Sequence, residues 1–125
     1  MLKDTKAFSG FSVDDIPRAR RFYAETLGLD VTDEGDGFAL HLAGGGNVFV
    51  YPKGDAHEPA SFTVLNFPTD DVEGTVAQLK QRGVEFERYE GTPAETDEDG
   101  VFRGEGPLIA WFKDPAGNVL SVIDA

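Results

Sequence analysis

The chain holds two histidines, His41 and His57, and no cysteine. Thiolate metal sites, disulfides and a cysteine nucleophile are therefore excluded. An imidazole can ligate a metal or move a proton. His57 stands beside Glu58 in a polar stretch, where solvation is the expected role. His41 alternates with Leu40 and Leu42, so it faces away from their side of a strand, as a polar group or a general base. No Gly-x-Ser-x-Gly elbow occurs, and no serine stands in a recognisable relation to histidine and aspartate. Asp14-Asp15 and Asp70-Asp71 look like paired catalytic carboxylates, but each precedes a helical pattern, where an acid caps free N–H groups. Asp97-x-Asp99 has the start of a calcium-loop spacing without the remaining ligands or the closing glutamate. Gly44-Gly45-Gly46 lacks the Lys-Ser/Thr of a phosphate loop and leads into a strand, so it reads as a hairpin turn.

The 125 residues suit one domain spanning 1–125, and 40% hydrophobic content with ten phenylalanines supplies a core. A net charge of −12 repels phosphate backbones and anionic lipid, so neither nucleic acid nor membrane is an expected partner. The N-terminal residues have no signal-peptide pattern and no apolar run is long enough to span a membrane, which points to a cytoplasmic protein.

These candidates hang on a pattern of elements that occurs twice. Residues 7–13 alternate as a half-buried strand; Asp14-Asp15 and Pro17 open a helix of about three turns that stops at Gly28. Extended segments follow at Leu29 to about Glu34, Phe38 to Ala43 and Asn47 to Pro52, separated by glycine-rich turns. Module 1 thus covers about 6–53 and reads βαβββ, and residues 54–60 are a linker. In module 2, about 61–124, the pattern predicts a strand from Phe62 to Phe67, a helix from Val72 to Gly83 and a strand from Val84 to Tyr89. A long acidic loop, then strands at Leu108–Lys113 and Asn118–Ile123, complete it. The repeat runs at roughly 55 residues, Asp14-Asp15-Ile16 matching Asp70-Asp71-Val72 and Leu27-Gly28-Leu29 matching Arg82-Gly83-Val84.

In these motifs, and in Arg21-Phe22-Tyr23 and Asp114-Pro115-Ala116-Gly117-Asn118, the whole chain resembles the vicinal oxygen chelate superfamily. Its members include glyoxalase I, extradiol dioxygenases and fosfomycin- and bleomycin-resistance proteins. The resemblance implies an α+β fold of two tandem βαβββ modules that curve around a small-molecule pocket, and a homodimer. It also implies a divalent metal held by histidine and glutamate on strands of both modules. Carried over one at a time, those positions fall on Phe8, about Tyr51, about Val64 and Ser121. None is a usual ligand, so the reading expects no metal, no cofactor and no metal-dependent glyoxalase or dioxygenase activity.

A pocket so lined is apolar and aromatic. Its expected ligand-binding residues are Phe8, Gly10, His41, Phe49, Tyr51, Val64, Trp111 and Ser121, with Phe62 nearby. Tyr51 and Trp111 would stack on a planar ligand, Gly10 would leave room for it, and an acidic lid at residues 90–106 would favour a cationic one. The expected function is sequestration or sensing of a small aromatic or cationic molecule. The second reading is a metal-independent lyase or isomerase using His41, Tyr51 or an acid.

Overall fold

A computed structural model describes all 125 residues and divides into two compact units, Met1–Glu58 and Pro59–Ala125. In the first, β1 (Ser9–Val13) leads to α1 (Ile16–Arg21), capped by Asp15, whose Oδ1 accepts from the Arg18 N–H at 3.0 Å. Pro17 occupies the first turn, where no N–H is needed. The helix continues as a π-helical turn over Phe22–Thr26, in which the Leu27 N–H donates to the Phe22 carbonyl, and ends at Gly28 with φ +70°.

Strands β2 (Asp30–Glu34), β3 (Gly37–His41) and β4 (Asn47–Pro52) follow, and the sheet order is β1-β4-β3-β2. The β1–β4 pair is parallel and the others antiparallel, with the triple glycine forming the β3–β4 hairpin. Alternation then decides the faces. Phe11, Val13, Phe38, Leu40, Val48 and Val50 are buried with Tyr23 of the helix, whose ring lies 5.9 Å from Phe11 and 6.1 Å from Phe38. Gly10, Ser12, Ala39, His41, Phe49 and Tyr51 alternate with those core residues and so project from the opposite face.

The second unit contains β5 (Thr63–Thr69), α2 (Val72–Gln81), β6 (Ile109–Lys113) and β7 (Val119–Asp124), in sheet order β5-β7-β6. Strand β5 pairs parallel with β7, with a bulge between Thr63 and Leu65. Asp71 caps α2 by accepting from the Gly74 N–H at 2.9 Å. At the other end Gly83, at φ +89°, donates to Lys80 O while Val84 N–H reaches back to Leu79 O, a paired closure that glycine makes without strain. Helix α2 packs on β6 and β7.

One expected strand does not form. Val84–Tyr89 contributes a single bridge, Phe86 to Phe112, and one further bond from the Glu87 N–H to Trp111 O. The carbonyls of Glu87 and Arg88 are taken by the Thr96 hydroxyl, and Tyr89 turns the chain aside at φ +47°. The ladder has nothing left to propagate along. The second unit is thus βαββ plus two isolated bridges, Phe86 to Phe112 and Phe102 to Ile109, against the complete βαβββ of the first. The polar linker also carries a 3₁₀ turn, Gly54–Ala56.

The Asp114–Asn118 turn before β7 is a closed polar network. Asp114 Oδ1 accepts from the N–H groups of Ala116 and Asn118, Oδ2 accepts from the Asn118 side-chain amide, and Asn118 Oδ1 accepts from Ala60 N–H. Both side chains are buried. Such groups cost free energy unless bonded, so this turn admits few other residues.

Gly37 gives the register a test. A Cβ there would collide with the Val50 carbonyl oxygen on the neighbouring strand, whereas one on Gly46 would meet nothing. Gly37→Ala is expected to lower stability by roughly 1–3 kcal/mol in urea unfolding, against a Gly46→Ala change of about 0.5 kcal/mol or less. Equal stability of the two variants would contradict the β3–β4 register.

Candidate functional site

Strand β4 places Phe49 and Tyr51 two residues apart on the open face of the first sheet, rings nearly parallel with centroids 6.0 Å apart. The Tyr51 ring covers Gly10: a Cβ on Gly10 would stand 3.5 Å from Tyr51 Cε1 and 3.2 Å from the Phe49 carbonyl oxygen. The glycine therefore admits a tyrosine from the chain itself. Phe8, just ahead of β1, is 70% exposed although large and apolar. A depression of about 460 Å³ opens on this side of the unit, lined among others by Phe8, Glu34, Ala39, His41, Asn47 and Phe49. Its size falls within the range of small-molecule sites.

His41 is tied on both ring nitrogens. Its Nδ1 lies 2.9 Å from Asn47 Oδ1 and its Nε2 2.8 Å from Thr32 Oγ1. An amide oxygen only accepts, so Nδ1–H donates to Asn47, and in the neutral ring Thr32 O–H donates to Nε2. The imidazole is a link in a chain of hydrogen bonds.

Sequence reasoning missed a second pair. Ser12 Oγ lies 2.8 Å from His57 Nδ1 and ties the linker to β1. Hydroxyl and imidazole at that distance also form the first link of a nucleophile–base arrangement. No local pattern announces a contact between residues 45 positions apart.

In the second unit Ser121 is fully buried, and its hydroxyl donates to Asn66 Oδ1 at 2.5 Å. Trp111 packs between Tyr89 and Phe102, ring centroids 5.4 Å and 5.8 Å away. Burial raises the Tyr89 pKa, the Glu87 carboxylate adds to the rise, and Lys113 opposes it. Val64 is half-buried on β5, and Phe62, ahead of that strand, is 69% exposed. Within the first unit Phe8, His41 and Phe49 share the depression, Phe49 stacks on Tyr51, and Tyr51 covers Gly10; within the second, Trp111 and Ser121 sit among their own neighbours.

The acidic loop is pinned to its own helix. Lys80 Nζ donates to the Asp99 carbonyl at 2.7 Å, and Arg103 reaches both Glu73 and Asp97. A smaller groove of about 320 Å³ lies here, lined by Glu73, Val76, Ala77, Lys80, Asp99 and Val101. Residues 97–103 are therefore fastened along α2, a placement that the expectation of a lid did not include.

A profile of the Glyoxalase/Bleomycin resistance protein/Dioxygenase superfamily matches residues 8–122. The chain belongs to that superfamily. Among solved structures it is similar to TnmS3, an antibiotic binding protein from Streptomyces sp. CB03234, at 26% identity and TM-score 0.64, covering 97% of each chain. It is also similar to a glyoxalase/bleomycin resistance protein from the same organism, at 27% identity and TM-score 0.59, covering 94% of this chain and 99% of that one. UcmS2 shares the fold at 17% identity and TM-score 0.72, covering 98% and 99%. No curated protein matches.

The metal common in this superfamily does not fit the residues present. At the positions the resemblance gives for its ligands, Phe8 and Val64 have no donor atom, Tyr51 and Ser121 are not usual ligands, and the Ser121 hydroxyl donates to Asn66. No three histidine, aspartate or glutamate side chains are grouped so as to hold a metal ion. No helix is long and apolar enough to cross a membrane.

Asp97 supplies a pH test of the loop. Burial pushes its carboxyl up, but the Arg103 guanidinium and the N–H groups of Val101 and Asp99 outweigh that and hold it below its ordinary value. A folded-state pKa below the unfolded one gives stability that is complete at neutral pH and lost as acid titrates the group below pH ~4. Asp97→Asn is expected to cost about 0.5–1 kcal/mol at pH 7, after allowance for solvent screening. In urea unfolding the gap from the parent should hold to pH ~5 and shrink below pH ~4. A gap unchanged at pH 3 would contradict the ion pair.

Proposed function

We propose that this protein binds a small aromatic or cationic molecule and holds it without transforming it, as a sequestering or sensing protein. The observation that carries the reading is the open face of the first sheet. Phe8 and Phe49 wall a depression that also holds Lys6 and Glu34 and the hydrogen-bonded His41 and Asn47. Exposing a large aromatic to water forgoes roughly 1.5–3 kcal/mol of burial, which a ligand laid against Phe8 would recover. The net charge of −12 draws cations toward the surface. The likeness to an antibiotic binding protein supports the same class of role.

A metal-independent enzyme is the weaker reading. Asn47 holds the Nδ1–H of His41, and Nε2 takes its hydrogen bond from Thr32 of the same sheet. The acids at Asp15 and Asp71 are occupied as caps. We place the protein in the cytoplasm as a homodimer, a state that native mass spectrometry reads directly.

The same measurement tests binding. The protein as purified, titrated with 2-naphthylmethylammonium, is expected to take one molecule per subunit saturably. Phe49→Ala should weaken the complex about tenfold, the loss of one aromatic contact of ~1.4 kcal/mol. Absence of any adduct at millimolar probe, or equal binding by parent and variant, would overturn the reading.

A further inference from the structure

The depression also has a polar edge with a definite sense. Thr32, His41 and Asn47 lie on three adjacent strands, β2, β3 and β4, joined by two hydrogen bonds of 2.8 and 2.9 Å. Asn47 Oδ1 faces His41, so the amide nitrogen is on the far side of the group, where no protein acceptor meets it. With its oxygen turned to His41, the primary amide presents its two N–H donors away from the ring. The sense is set upstream: while Thr32 O–H donates to Nε2, the neutral ring must carry its proton on Nδ1, and Nδ1–H in turn holds the Asn47 oxygen.

We propose that this depression selects planar ligands bearing a neutral hydrogen-bond acceptor on one edge, such as a ring carbonyl or ring nitrogen. Asn47 reads that acceptor through its N–H groups, and Thr32 and His41 are positioning residues that keep the amide turned. The proposal rests on the binding reading above and adds the ligand's polarity. Phe8 and Phe49 supply the apolar walls, and Ala39 on the floor has no side chain long enough to block a flat ring system. Lys6 and Glu34 at the same depression carry opposite charges, so the pair presents no net charge to the edge of a ligand.

The test compares coumarin, which is planar with a carbonyl acceptor and no donor, with naphthalene, which has the shape and no edge. With the ¹⁵N-labelled full chain, both are expected to shift backbone resonances around Phe49, and only coumarin to shift the Asn47 side-chain amide. Asn47→Ala should lower coumarin affinity about five- to tenfold, the range of one neutral hydrogen bond, and leave naphthalene unchanged. Thr32→Val frees the imidazole to change tautomer and should erode the coumarin preference while sparing naphthalene. A residue that merely supports the fold would move both affinities together. Binding of both probes with the same ratio in parent and Asn47→Ala, or a silent Asn47 amide, overturns this inference and leaves the binding reading standing. Failure of both probes to bind overturns the two together.

Discussion

In each unit the first strand pairs in parallel with the last, β1 with β4 and β5 with β7, and the remaining structure follows from that constraint. Parallel neighbours cannot be joined by a tight turn, so a helix must cross over between them and cover one face. The last strand then lies inside the sheet, hydrogen-bonded on both sides, and its residues are committed in alternation to the helix or to the open face. In β4 this sends Val48 and Val50 into the core and Phe49 and Tyr51 outward. In β7, Leu120 and Val122 alternate with Ser121, whose hydroxyl must find a partner and takes Asn66 on the paired strand. A slip of one residue in either parallel pair would exchange the two sets, burying the site and exposing the core.

That constraint also explains where the polar groups are spent. No buried side-chain nitrogen or oxygen lacks a hydrogen-bond partner. Helix starts are closed by Asp15 and Asp71, the turn into β7 by Asp114 and Asn118, and the open face of the first sheet by the Thr32–His41–Asn47 chain. The acidic surplus, by contrast, lies mostly on exposed residues, where pairs such as Arg20 with Asp33 at 2.7 Å are solvated and contribute at most about 1 kcal/mol. The charge governs what approaches the molecule; the apolar alternation governs how it folds.

What could be read from the chain alone divides along sequence separation. Caps, the glycine stops at Gly28 and Gly83 and the triple-glycine hairpin are local patterns, and each stands within a residue or two of its expected place. The Val84–Tyr89 segment has the composition of a strand, yet Thr96, seven residues beyond it, competes for its carbonyls. The Thr32–His41–Asn47 chain depends on strand register, and the Ser12–His57 contact on the path of the linker, neither of which composition specifies. Phenylalanine and valine can be rejected as metal ligands by side-chain chemistry alone, without coordinates.

The division matters for how a site can change while its fold persists. The core face of the first sheet is under packing constraint, because each buried methylene there is felt. The open face is not, and it carries Gly10, Phe49 and Tyr51 while β1 and β4 keep their parallel pairing. A lone imidazole at position 41 would have to choose a tautomer against competing solvent. With a hydroxyl on one neighbouring strand and an amide on the other, the choice is made by the sheet, and the direction of the hydrogen-bond chain becomes a property of the fold. The polarity presented to a ligand at Asn47 is then inherited from strand register, the same quantity that decides which aromatic rings reach the surface.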